Sequence, residues 1–274
     1  MPIIDFHVHV GLYEHLQPWV VEWMESNAKG DLKALIEETL TPEGFRRFLD
    51  ENGLDYAVCQ ADISPLSTGT TTNEFVAELA AKLDRFIPMA NINPYLVPNP
   101  GRELERLVRD LGFRALKLQP TYQYFYPNDR LLYPLYAKAE DLRIPVMFHT
   151  GSSVFRGARI KYGNPVHLDD VAVDFPDLNL VMAHSGRGFW YQEAFFLARL
   201  HPNLYMEIAG LPAKKLLDYF PEFGRNADKI IFGSDWPGNP WIKENVAHIR
   251  SMSISEDGKR RILGDTAARL LGLH

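Results

Sequence analysis

The sequence predicts an α/β protein built as one (β/α)8 TIM barrel over residues 1–274. Three observations carry the prediction. Eight short apolar, β-branched runs recur along the chain, each separated from the next by a helix-like segment, and eight is the number of strands that closes such a barrel. The runs are continuous rather than alternating, as suits parallel strands covered on both faces. The length of 274 residues matches the roughly 250 that a barrel of this type takes. A doubly wound open sheet is the rival architecture, but no Gly-x-Gly-x-x-Gly follows the first run, so its phosphate-binding turn is missing.

In order, the strand-like runs cover 3–9, 55–61, 86–92, 113–119, 145–150, 179–184, 203–208 and 229–235. Helix signals fill the gaps. Thr41-Pro42-Glu43 is an N-cap followed by Pro at the first helical position, and Asn164-Pro165 repeats the arrangement before 166–175. Asn128-Asp129 opens a helix over 131–142, and 256–273 reads as one or two closing helices. Asn52-Gly53, Ile144-Pro145, Phe175-Pro176-Asp177 and Pro202-Asn203 punctuate strand starts. The loops over 11–40 and 151–164 are longer than a barrel needs. The first carries Tyr13, Trp19 and Trp23, as a fold over the barrel mouth or as a packed N-terminal excursion.

Composition narrows the function classes. The chain is 46% hydrophobic and 23% charged, with a net charge of −6, and its longest basic run is Lys259-Arg260-Arg261, so a nucleic-acid or membrane-surface role has no electrostatic footprint. No apolar stretch is long enough to cross a bilayer, and the start lacks the basic region and apolar core of a secretory signal. Cys59 is the one cysteine, which excludes an intrachain disulfide and a thiolate metal site. A cytoplasmic enzyme for a small molecule is the expectation, with a homo-oligomer possible.

Barrel active sites lie at the C-terminal strand ends. His7 and His9 end the first run, His149 the fifth and His184 the sixth, whereas nine randomly placed histidines would put about one at such positions. His7 and His9 are two apart and share a strand face, with Asp5 on that face one layer deeper. Two imidazoles make half of a metal site, which His149 and Asp235 could complete; imidazole and carboxylate donors suit Zn²⁺, Mn²⁺ or Fe²⁺. Asp235 follows an apolar strand and a Gly-Ser pair, where a ligand or base belongs; a turn cap is the plainer reading.

These residues resemble a known family. Asp5-x-His7-x-His9 is similar to the opening motif of the amidohydrolase superfamily. With Phe148-His149-Thr150-Gly151, Ala183-His184-Ser185-Gly186 and Gly233-Ser234-Asp235-Trp236-Pro237, the chain resembles the amidohydrolase-related group that includes the aminocarboxymuconate-semialdehyde decarboxylase-like enzymes. The run from Arg261 to Leu270 is similar to that group's C-terminal helix. The resemblance implies one divalent metal, usually zinc, on His7, His9, His149 and Asp235, with His184 as the catalytic histidine. Asp235 at the metal would accept a proton from water acidified by the ion, and His184 would polarise the substrate or deliver a proton.

Lys117 ends the fourth run, where binuclear relatives carry a carbamylated bridging lysine; here it reads as an ammonium that orients a substrate anion or as a salt bridge inside the barrel. Arg187, three residues after His184, is the candidate for a substrate carboxylate, with Arg156, Arg159 and Lys161 as surface charges. Glu207 is placed to support a ligand or Lys117. Trp19, Trp23, Tyr122, Tyr124, Phe125, Trp190 and Trp236 offer an aromatic wall, which with the cations suggests a planar carboxylic acid, lactone or ester. The leading reading is a metal-dependent hydrolase of a small carboxylate- or carbonyl-bearing compound. A non-oxidative decarboxylase on the same site is the alternative, and a non-catalytic binding barrel the third.

Overall fold

The computed structural model describes residues 2–28 and 30–273. Among the described residues ten strands form: β1 (Ile4–His9), β2 (Tyr56–Gln60), β3 (Asp62–Ser64), β4 (Gly69–Thr71), β5 (Phe86–Asn91), β6 (Ala115–Leu118), β7 (Val146–Gly151), β8 (Leu180–Arg187), β9 (Leu204–Glu207) and β10 (Ile230–Ile231). Eight of them make one parallel sheet in the order β1-β2-β5-β6-β7-β8-β9-β10, and each coincides with one apolar run. The eighth is short, yet the sheet closes through the chain beyond it. Phe6 N donates to Phe232 O (3.0 Å), Asp235 N to His7 O (2.9 Å) and His9 N to Trp236 O (2.8 Å). The predicted barrel is the observed one.

Each barrel strand sends side chains inward, and Ile4, Phe6, Val58, Met89, Ala115, Met147, Val181, Tyr205 and Ile231 meet there with Ala267, Leu270 and Leu271 of the helix Thr266–Leu271. That helix plugs the end of the barrel opposite the histidines. It closes a run through Glu256–Arg260 and a π turn at Arg261–Asp265, the stretch that reads in the sequence as one or two closing helices. A larger apolar cluster fills the layer between the strands and the outer helices.

Local signals hold with two shifts, one of them in the helix expected over 166–175, which begins as a 3₁₀ turn, Pro165–His167, before Leu168–Asp174. Thr41 Oγ1 accepts from Gly44 N at 3.1 Å, and Asn164 Oδ1 from Val166 N at 3.0 Å, as caps should. The helix expected over 131–142 begins as a 3₁₀ turn, Arg130–Leu132, before Tyr133–Asp141, because Asp129 turns its carboxylate back to Tyr126 N (2.8 Å) instead of capping forward.

Two insertions cover the barrel mouth. The antiparallel pair β3–β4 follows β2, and the segment after β1 folds into the helices Pro18–Asn27 and Leu32–Thr39. They are stitched together by Gln17 N donating to Thr68 O (3.0 Å) and by the bridge between Leu16 and Gly69. Gly69 has φ 129°, and a Cβ there would lie 2.1 Å from His15 O, so the crossing needs glycine. The 11–40 loop therefore folds over the mouth.

Candidate metal centre and active site

The strand ends converge on a cavity of about 270 Å³, at the small end of the roughly 300–1,000 Å³ usual for ligand pockets. His7, His9, Lys117, His149, His184, Arg187 and Asp235 all line it. All seven residues singled out from the sequence thus share one space.

His7 is the centre. The pairing of β1 with β2 slips between Asp5 and Val8, which lets Ile4 and Phe6 face the barrel interior below while His7 and His9 face the mouth above. Asp5 consequently leaves the histidine face: its Oδ1 accepts from His7 N (3.1 Å) and Ser234 N (2.9 Å), clamping two backbones rather than a ring. Burial pushes the Asp5 carboxyl up to about 6. The ring of His7 is held instead by Glu207, whose Oε2 lies 3.3 Å from Nδ1. Glu207 also accepts from His184 N (3.1 Å) and Ala209 N (2.8 Å), and a Cβ on Gly233 would lie 2.0 Å from its Oε1, which explains the glycine two residues before Asp235.

With Nδ1–H donated to a carboxylate, His7 turns the lone pair of Nε2 towards Asp235 Oδ1 (3.5 Å), while His9 Nε2 lies 3.1 Å from the same oxygen. Ligand atoms of His7, His9 and Asp235 lie within 4.8 Å of one another. Two imidazoles, one of them backed by a carboxylate, and an ionised carboxylate are a donor set that fits a divalent ion. Burial would raise the Asp235 carboxyl, but the hydrogen bond with His9 and the electrostatic pull of His7, His9 and Arg187 hold it well below the usual range. His149 lies outside this cluster, with Nε2 3.3 Å from Ser152 O and its ring 4.8 Å from those of Tyr122 and His184. His7, His184 and Glu207 form a second, fully buried donor group.

His184 sits in backbone that side chains rarely adopt: φ is 61° at His184, 47° at Ser185 and 72° at Gly186. At residues other than glycine such conformations cost about 1–3 kcal/mol each and persist where a site requires them. The turn lets His184 Nδ1–H donate to Ala209 O (2.9 Å), leaving Nε2 as the free nitrogen of the ring. Burial keeps His184 neutral, and Arg187, His149 and Lys117 add to the effect. Asp235, with φ 70°, is held in the same region of backbone space.

Lys117 is fully buried, with Nζ 3.3 Å from His7 Nε2. Burial lowers its ammonium towards about 8 and raises Glu207 towards about 8, while each group's charge opposes the shift of the other. The three N–H groups converging on Glu207 favour its ionised form. Arg187 reaches over the floor, with Nη1 3.8 Å from Asp235 Oδ2 and Nη2 3.3 Å from Ser152 O. Arg159 stacks on Tyr124 and Lys161 on Tyr162, away from the cavity lining.

The roof is apolar. Leu16, Val20, Trp23 and Met24 come from the segment after β1, and Val154 and Phe155 from the loop after β7. Trp23 meets Phe155 edge-on at 5.2 Å. Of the aromatics anticipated, Trp23 and Tyr122 line the cavity; Trp236 and Phe125 belong to the core, and Trp19 anchors to Ser67 O (2.8 Å). Sequence reasoning missed Gln60, whose Nε2 lies 2.8 Å from His9 Nε2, and Asp62 and Gln119 in the lining. Each stands at or just past a strand end, the one signal that marks them.

Comparison with known proteins agrees with this fold. The chain is 26% identical over 255 residues to a gamma-resorcylate decarboxylase of Rhizobium sp. (strain MTP-10005), covering 73% of this chain and 75% of that one. An uncharacterised TIM-barrel protein, Bb4693, from Bordetella bronchiseptica superposes with a TM-score of 0.80 at 29% identity, covering 100% of this chain and 99% of the other. The 5-carboxyvanillate decarboxylase of Novosphingobium aromaticivorans DSM 12444, complexed with manganese and 4-hydroxy-3-methoxy-5-nitrobenzoic acid, shares the fold with a TM-score of 0.72 at 15% identity, covering 99% of this chain and 96% of the other. A family model described as Amidohydrolase matches residues 4–273, and the chain is accordingly a member of the amidohydrolase family, whose superfamily works with a divalent metal.

Proposed function

We propose that this enzyme is a metal-dependent, non-oxidative decarboxylase of a small aromatic carboxylic acid. Its divalent ion, zinc in the first instance, is assigned to His7, His9 and Asp235, with His149 as the further donor across the cavity. The observation that carries the reading is the cavity itself, a floor of charge beneath an apolar roof. Similarity to a gamma-resorcylate decarboxylase over three-quarters of both chains supports it.

The bound ion supplies Lewis acidity towards substrate oxygens. Around it, Arg187 offers a planar fork to the carboxylate, with Lys117 as a second cation. A carboxylate seated there offsets the Arg187 charge that helps to keep His184 neutral, so His184 Nε2 becomes able to carry a proton. Transfer of that proton to the ring carbon bearing the carboxylate, followed by cleavage of the C–C bond, releases CO₂ and returns the electron pair to the aromatic ring. The roof excludes water from this step.

Hydrolysis on the same residues is the second reading. It is favoured by the pairing of a neutral His184 with an ionised Asp235, two bases facing one cavity. Incubating zinc- or manganese-loaded protein with benzoic acids, lactones and esters, and measuring released CO₂ against released acid or alcohol, separates the two. Acid consumed with equimolar CO₂ supports decarboxylation; turnover of lactones or esters alone refutes it.

A further inference from the structure

Gln119 has no role in the chemistry above, yet it stands where substrate must lie. It follows β6 two residues after Lys117, lines the cavity, and is 2% exposed. Its backbone N–H is satisfied by Gln123 Oε1 at 3.1 Å, whereas its own Oε1 is enclosed without a hydrogen-bond partner among the described residues. Leaving a buried polar atom unpaired is costly, and native interiors rarely do so without a reason. The terminal amide torsion is soft and two-fold, so a half-turn exchanges the positions of Oε1 and Nε2.

We infer that Gln119 is a specificity-determining residue whose amide reads a hydroxyl substituent on the substrate ring. A hydroxyl both donates and accepts, so it satisfies the amide in either orientation. The roof above contrasts with it: Leu16, Val20, Trp23, Met24, Val154 and Phe155 offer no such partner. The site thus distinguishes a ring carrying a hydroxyl beside Gln119 from the same acid without it. This inference rests on the reading of the cavity as an organic-acid site, and it holds for either reaction there.

The test is binding of unsubstituted benzoate and of the three monohydroxybenzoates to zinc-loaded protein, by calorimetry, for wild type, Gln119→Met and Gln119→Ala. Wild type should bind one hydroxylated isomer about tenfold more tightly than benzoate, as one hydrogen bond in an enclosed site allows. Both variants should lose that preference while keeping their affinity for benzoate. Gln119→Met should melt no lower than wild type, since an apolar chain of similar shape replaces an unpaired amide. A hydroxyl preference that persists in both variants overturns the inference, as does a large loss of thermal stability in Gln119→Met, which would reveal a structural amide. If no benzoate binds wild type, the organic-acid reading itself falls, a result distinct from the persistence of the preference.

Discussion

Replacing Glu207 by glutamine tests how the two central histidines are held. Three N–H donors converge on this carboxylate: His7 Nδ1 at 3.3 Å and His184 N at 3.1 Å on Oε2, and Ala209 N at 2.8 Å on Oε1. An amide has a single acceptor oxygen, so whichever way the introduced side chain turns, its NH₂ group confronts at least one N–H. The loss of one hydrogen bond to a charged acceptor is worth about 1.5–3 kcal/mol. Carboxylates that orient metal-ligating histidines commonly change metal affinity by about 10–100-fold, which matches that energy. Competition against a fluorescent chelator should therefore show the zinc dissociation constant of Glu207→Gln raised about 10–100-fold. The metal-free variant should also melt lower than wild type. Unchanged zinc affinity in a folded variant would refute the assignment of the His7 tautomer and of its Nε2 as a ligand atom.

Further outcomes follow from the same geometry. His184→Ala should retain its metal by elemental analysis yet lose about 10²–10⁴ in kcat; loss of the metal would make His184 a ligand instead. Arg187→Met should raise KM for a carboxylate substrate by about tenfold or more, and an unchanged KM would remove Arg187 from substrate binding. Asp5 gives a pH signature in the metal-free protein. Burial raises its carboxyl from 3.8 to about 6, so the folded state holds the proton more tightly. Its contribution to stability is then complete below pH 4 and is lost as pH rises through 6, about 3 kcal/mol in all. Urea unfolding should show Asp5→Asn losing that slope; an identical slope in both proteins contradicts the argument.

The barrel was legible because parallel strands buried on both faces write themselves as uninterrupted apolar runs, and even β10, two residues long, sits inside one. The β3–β4 pair was not, because 62–71 is rich in Ser, Thr and Gly and its pairing is specified by contacts with Leu16 and Gln17 far back in the chain. At the site, His7, His9, Lys117, His149, His184, Arg187 and Asp235 could be found from position alone, since strand ends point into one cavity. Asp5 was misplaced on the histidine face because a slip in strand register reverses the side-chain parity and leaves no mark in the residues themselves. The aliphatic part of the roof escaped for a different reason. Val20 and Met24 are spaced four apart on a helix, a pattern equally suited to a core, and only the fold of the 11–40 segment over the mouth turns them towards the cavity.

Metal titration tests the centre most directly. Calorimetry of chelator-treated protein with zinc should give about one ion per chain, and His9→Ala and Asp235→Ala should each abolish that binding while remaining folded. Wild-type protein that takes up no divalent ion, or variants that bind zinc as wild type does, would contradict the assignment of the metal to His7, His9 and Asp235.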